Sequence, residues 1–203
     1  MSIYALKPRF QAALRPFVAT LARASVTANQ VTIAACAISI ALGCWLSFGG
    51  VGPAMFLLIP IWMFARMALN AIDGMLAREF NQRSDLGGYL NELTDVVADA
   101  ALFLPFALVA PFTGMAIGAV IFSATLTEFA GVMGVMVGAS RRYDGPMGKS
   151  DRAVVFGALG LWIGLGWGLP SWANLLAWLV VILCLWTVVN RVRRGLAERP
   201  AHP

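Results

Sequence analysis

Fourteen of the chain's fifteen lysines and arginines fall in alternate connections between long apolar runs. That pattern leaves few folds open. A helix needs about 20 apolar residues to cross a bilayer. Six runs of roughly that length can be drawn, at 31–48, 53–75, 88–110, 115–138, 153–168 and 171–190. The connections FGGVGP, VAPFTG and GLPS carry no charge. The other side holds Lys7, Arg9, Arg15 and Arg23, then Arg78 and Arg83, then Arg141, Arg142, Lys149 and Arg152, and finally Arg191, Arg193, Arg194 and Arg199. Basic residues stay on the cytoplasmic side of a membrane protein, so both termini are expected there and the number of spans is even.

Composition supports the same solvent. The chain has 203 residues, 60% hydrophobic and 12% charged. A soluble domain sits near 45–50% apolar, and a core of this size could not hide the excess. The net charge of +5 reads first as a topology signal. No basic stripe interleaves with aromatics, so nothing points to nucleic acid. The first 25 residues are too polar for the apolar core of a signal peptide. No internal repeat or linker stands out. The expected fold is all-α: one membrane domain over 1–203, with a six-transmembrane-helix bundle over 31–190 and an interfacial amphipathic helix over 8–24.

That N-terminal helix is read from Phe10, Leu14, Phe17, Val18 and Leu21, which recur on one helical face. It would lie on the cytoplasmic leaflet as a topology anchor or as a lipid-facing wall of a site, with Pro16 as the place for a bend. Cys36, Cys44 and Cys184 have no metal spacing and read as small core residues. His202, one residue from the end, offers no histidine chemistry, and the tail after Asn190 reads as frayed and basic.

Against this background the stretch 70–99 is unusual. Carboxylates are unfavourable in lipid, so those found there carry a function by default. Asn70 and Asp73 share a helix face, with the small residues Gly74 and Ala77 beside them and Arg78 at the surface. A polar loop follows, with Ser84 or Asp85 as the cap of the next helix. There Asn91, Asp95 and Asp99 stand at i, i+4 and i+8. Two helices joined by a short loop pack antiparallel, so these oxygens converge just inside the cytoplasmic surface. Mg²⁺ favours such oxygens together with substrate phosphates, and supports displacement at phosphorus.

The segment reads Asn70-x2-Asp73-Gly74-x2-Ala77-Arg78-x8-Gly87-x3-Asn91-x3-Asp95. It resembles the signature of the CDP-alcohol phosphatidyltransferases, D-x2-D-G-x2-A-R-x8-G-x3-D-x3-D. Spacing matches across 26 residues and six of eight positions agree. VTANQVT before the first span and GPMGKSDR before the fifth are also similar to the family, so the resemblance covers about residues 25–160. It is most like a bacterial branch with Asn at two of the four signature Asp positions.

The resemblance implies a transferase in a bacterial inner membrane. It would move the phosphatidyl group of CDP-diacylglycerol to an alcohol and release CMP, as a homodimer using Mg²⁺ or Mn²⁺. Asp73, Gly74, Ala77, Arg78 and Gly87 would hold the CDP-lipid. Asn70, Asp73, Asn91 and Asp95 would be the metal ligands. Asp95, with Asn91 beside it, would be the catalytic position, as a ligand or as the base for the acceptor hydroxyl. Arg141, Arg142, Lys149 and Arg152 would line the acceptor side, which suits an acceptor that itself carries a phosphate, such as glycerol 3-phosphate. As a bare sequence feature, that basic loop is also what any cytoplasmic loop would show.

The departures are Asn70 and Asn91, where the family has aspartates. An amide oxygen can ligate Mg²⁺ but brings no charge. Three readings stand: an enzyme with one metal or with substrate phosphates filling the gap, a two-metal site that recruits other carboxylates, or a degenerate CDP-lipid-binding protein. Arg66, Asp99 and Glu128 count to a common depth of about 15 Å. They are expected to form one charge cluster beneath the catalytic layer, with Arg66–Asp99 as a packing ion pair. A transporter is the rival class, but the acids lie toward one end of the spans and no inverted repeat is evident.

Overall fold

The structure is a computed structural model and describes residues 6–198. His202 and Arg199 lie outside the described residues. Among the described residues seven α-helices follow one another: α1 (Leu6–Arg23), α2 (Ala28–Phe48), α3 (Leu58–Glu79), α4 (Asp85–Phe103), α5 (Gly114–Met136), α6 (Lys149–Gly164) and α7 (Ala173–Glu198). There is no strand among the described residues.

Local chemistry sets the boundaries. Thr27 caps α2 in a reciprocal pair with Gln30: Gln30 N–H donates to Thr27 Oγ1 at 3.2 Å, and Thr27 N–H donates to Gln30 Oε1 at 2.9 Å. The run expected at 53–75 is displaced toward the C-terminus. Pro53–Leu57 forms a tight 3₁₀ turn, and α3 then continues to Glu79. Pro60 sits in the first turn of α3, where its missing N–H is no loss. Ser84 caps α4 by accepting the N–H of Gly87 at 3.0 Å.

Among the described residues four helical stretches are long and apolar enough to cross a bilayer: Ala28–Phe48, Pro53–Glu79, Gly114–Met136 and Ala173–Glu198. Two helices at expected spans fall outside that group. α4 carries Asp85, Glu92, Asp95 and Asp99, and α6 has 16 residues. Large apolar side chains cover the outside, among them Phe48, Phe64, Phe122, Leu175 and Trp186. An aqueous surface does not tolerate so much contiguous apolar area. The chain is an integral membrane protein.

The main core lies toward the end of the bundle remote from α1. Phe103 and Phe156 stack at 4.0 Å between ring centroids, and Phe106 meets Phe156 edge-on at 5.0 Å and Phe56 at 5.4 Å. α2 and α4 approach closely at Gly43, where an added Cβ would sit 2.1 Å from the carbonyl oxygen of Ala101. A second, smaller core joins Val18 of α1 to Val31 of α2 and to Ile72, Met75 and Leu76 of α3. It braces the other end, where the polar residues gather. Of the three cysteines only Cys184 is buried; Cys36 is half-buried and Cys44 faces outward. The tail expected to fray is helical as far as Glu198.

Candidate active site

Helices α3 and α4 supply the signature residues; contrary to the expectation that they pack on each other, it is α2 that packs against both, and the loop between α3 and α4 is tied down. Gln82 Oε1 accepts the N–H of Ala28 at 2.7 Å, and its Nε2 donates to the carbonyl of Val26 at 3.4 Å. The start of α2 is thereby held against the α3–α4 turn. One turn into α2, Thr32 donates its hydroxyl to Asp73 Oδ2 at 2.8 Å. Asp73 is 5% exposed and has no ion-pair partner among the described residues.

Asp95 has a different setting. Its Oδ1 accepts from Arg66 Nη2 at 3.1 Å, from the Lys149 ammonium, and from Asn70 Nδ2 at 3.5 Å. No side chain among the described residues donates to its Oδ2. Asn70 turns its amide nitrogen to Asp95 because a carboxylate can only accept. Asn91, half-buried one turn earlier, makes no side-chain hydrogen bond among the described residues. Gly74 leaves room for Arg78. A Cβ there would stand 3.0 Å from Arg78 Nη1, so the exposed guanidinium folds back over the glycine. Gly87 stands in the first turn of α4, where its N–H caps onto Ser84. Ala77 packs against the small core on α3.

Below lies a second layer of charges. Arg66 Nη1 donates to Asp99 Oδ1 at 2.5 Å, and Arg152 Nη2 reaches Asp99 Oδ2 at 3.1 Å. The same nitrogen of Arg152 is 2.9 Å from Glu128 Oε1, and its Nη1 donates to Thr127 Oγ1 at 2.9 Å. Glu128 Oε2 also takes Arg191 Nη1 and Arg141 Nη2, each at 3.3 Å. Arg191 further donates to the carbonyl of Thr127. Arg141 continues to Glu92 at 2.6 Å and lies over the ring of Tyr143 at 4.2 Å. Burial works against the Arg141 charge, but the hydrogen bond and charge of Glu92 outweigh it and hold its pKa above the usual value. The cavity between Asp99, Glu128, Arg152 and Phe103 measures about 10 Å³. That is barely room for one water, so the lower layer is packed structure rather than a ligand site.

The four basic residues expected on an acceptor side thus meet different partners. Lys149 reaches Asp95, and Arg141 bridges Glu92 and Glu128. Arg152 is 1% exposed, inside the lower layer. Arg142 joins Asp144 and Glu198, which ties the 140–144 segment to the end of α7. Arg66, Asp99 and Glu128 stand in one cluster, with Arg152 as the link between the two acids.

Sequence reasoning missed Arg191, Thr32 and Thr127. A signal for Arg191 was present. Val180, Cys184, Thr187, Arg191 and Gly195 follow at helical spacing on the buried face of α7.

Residues 25–189 match the family model for CDP-alcohol phosphatidyltransferase. The chain is 46% identical over 196 residues to "Inner membrane protein YnbA" of Escherichia coli (strain K12), covering 97% of each. It is 30% identical to the phosphatidylinositol phosphate synthase of Streptomyces avermitilis, over 95% of this chain and 82% of that one. It is 28% identical to the archaetidylinositol phosphate synthase of Aeropyrum pernix. Two crystal structures of Mycobacterium tuberculosis phosphatidylinositol phosphate synthase share its fold, each with a TM-score of 0.73 over 92% of this chain. They cover 90% and 98% of that protein at 19% and 18% identity. One is in complex with manganese and citrate, the other has CDP-DAG bound.

Proposed function

This chain belongs to the CDP-alcohol phosphatidyltransferase family, and from that premise we propose that it moves the phosphatidyl group of CDP-diacylglycerol to a phosphorylated alcohol. The acceptor hydroxyl oxygen bonds to the phosphatidyl phosphorus, the bond from that phosphorus to the CMP oxygen breaks, and CMP leaves. The hydroxyl proton passes to a carboxylate. The observation that carries the reading is that Asp95 is held through Oδ1 alone, by Arg66, Lys149 and Asn70 of the same signature, while the second signature acid, Asp73, is buried without an ion-pair partner among the described residues.

The residues divide the work. Arg78 and the backbone around Gly74 receive the diphosphate. The first two turns of α4, with Gly87 and Asn91, face it from the other helix. Asp95 takes the acceptor proton on Oδ2, while Arg66, Asn70 and Lys149 fix the carboxylate through Oδ1. Arg141 and Arg142 flank the acceptor side, and a phosphate there would compete for them with Glu92 and Asp144. Relatives named as inositol phosphate lipid synthases favour an acceptor with its own phosphate, and glycerol 3-phosphate meets the same requirement. Arg66, Asp99 and Glu128 hold the polar faces in register from below.

The donor set suits a hard divalent cation: Asp73, Asp95 and the amide oxygens of Asn70 and Asn91. When bound, Mg²⁺ or Mn²⁺ would neutralise the diphosphate and the leaving oxygen. In this reading the chain is one domain. Helices α2–α7 make six passages of the inner membrane, α1 lies on the cytoplasmic leaflet, and the termini and site face the cytoplasm. The functional unit is a homodimer.

The test is CMP release by the purified protein in micelles with CDP-diacylglycerol, Mn²⁺ or Mg²⁺, and pooled alcohols, with Asp95→Asn as the blank. The expected result is metal-dependent release that the variant loses, with inositol phosphate and glycerol 3-phosphate assayed separately afterwards. Metal-dependent binding of CDP-diacylglycerol without release in any pool would favour a CDP-lipid-binding protein, and Asn70 and Asn91 would be the cause.

A further inference from the structure

Asp73 and Asp95 stand in opposite electrostatic settings. Asp73 is buried, takes one threonine hydroxyl, and has no basic partner among the described residues. Asp95 is held by Arg66 and Lys149 and faces the donor end of Asn70. An aspartate at position 70 could not sit there in the same way, because two carboxylates would confront each other where a donor now meets an acceptor.

Resting on the transferase reading above, we infer that the Lys149 ammonium stands where a second divalent ion would otherwise sit, so that each chain binds a single divalent cation, at Asp73. The charge balance supports this. One continuous set of ion pairs joins Asp95, Asp99, Glu92 and Glu128 to Arg66, Lys149, Arg152, Arg191 and Arg141. That is four carboxylates against five cations; the unpaired Asp73 and the exposed Arg78 at Gly74 add one charge of each sign, so the site stays one positive. One divalent ion then adds two positive charges, and the two negative charges of a diphosphate diester match them. A second ion would raise the uncompensated positive charge from one to three, and an uncompensated charge at low dielectric is strongly unfavourable.

The amides follow from the same balance. With a lysine tethered at the start of α6 serving as the second cation, aspartates at positions 70 and 91 would over-neutralise it. Asn70 instead supplies a donor to Asp95 and Asn91 a neutral oxygen. A tethered ammonium needs no ligand cage, and its three N–H groups can reach a carboxylate and a substrate oxygen together.

The test counts ions. Mn²⁺ bound per chain is measured by electron paramagnetic resonance titration in micelles containing CDP-diacylglycerol. The wild type is expected to bind one Mn²⁺, and Asp73→Asn to lose it. The triple variant Asn70→Asp, Asn91→Asp, Lys149→Met is expected to bind two. Two ions on the wild type would overturn the inference and leave the transferase reading intact. One ion retained in Asp73→Asn would place the cation elsewhere and also overturn it. No ion on a wild type that still binds CDP-diacylglycerol would remove both the inference and the metal-dependent reading. The wild-type count stands whether or not the triple variant folds.

Discussion

Arg66 of α3 and Asp99 of α4 are joined at 2.5 Å, and the same guanidinium reaches Asp95 on the turn above. One arginine thereby couples the packed lower layer to the layer proposed for chemistry. Removing one partner of a buried pair leaves a charge uncompensated at about 3–5 kcal/mol. Arg66→Met is expected to destabilise the fold by that order, seen as a lower thermal midpoint in micelles. The double variant Arg66→Met, Asp99→Leu is expected to lose less than the sum of the singles, with a coupling of roughly 0.5–3 kcal/mol. Additive losses would show that the pair is not an energetic unit.

Thr32 is expected to matter through Asp73 alone. Thr32→Val keeps the shape and removes the hydroxyl that donates to Asp73 at 2.8 Å. A hydrogen bond to a charged group contributes about 1.5–3 kcal/mol. Mn²⁺ affinity should fall about tenfold or more by that figure, while the helical circular dichroism signal stays unchanged. Unaltered Mn²⁺ affinity would place the cation away from Asp73.

At Gly74 the prediction separates binding from stability. The Cβ of Gly74→Ala meets the far end of the Arg78 side chain at 3.0 Å, and that end can swing away. Stability should remain within about 0.5 kcal/mol. Affinity for CDP-diacylglycerol should fall about tenfold, the loss of one charge-assisted contact. A large drop in the unfolding midpoint with intact affinity would make Gly74 a packing residue.

Arg191 and its neighbours give a sharp contrast. Arg191 is 2% exposed and reaches Glu128 and the Thr127 carbonyl, whereas Arg193 and Arg194 are exposed. Arg191→Met should destabilise by about 3 kcal/mol or more, and Arg152→Met by more still, because Arg152 serves both Asp99 and Glu128. Arg193→Met and Arg194→Met should stay within about 0.5 kcal/mol of wild type. Equal effects at the three positions would mean that the end of α7 does not dock.

Much of this arrangement could be read from the chain because it is local. The spacing of Asn91, Asp95 and Asp99 sets one face of α4, and Ser84 marks its start whatever surrounds it. The common depth of Arg66, Asp99 and Glu128 followed from counting residues along helices. Pairings across the bundle were not available that way. Lys149 meets Asp95 across 54 residues and Thr32 meets Asp73 across 41. Which helix faces which is decided by close approaches such as Gly43 on Ala101, and no periodicity encodes those. Arg191 was obscured for another reason: a basic cluster at the end of a span is what the positive-inside tendency already explains. The buried spacing along α7 was a second signal beneath the first.

The lower charge layer also bears on how such a chain enters a membrane. Its members come from five helices, with Arg66 on α3, Asp99 on α4, Glu128 on α5, Arg152 on α6 and Arg191 on α7. None of these helices can leave water cheaply with its own charge exposed to lipid. α4, with four carboxylates, and α6, with 16 residues, are the poorest candidates for solitary insertion. In the proposed six-passage topology they would enter the bilayer alongside the helices that neutralise them. The charges would then set the order of assembly: opposite signs meeting first in a sheltered, still hydrated setting, and the lipid closing around a bundle already matched.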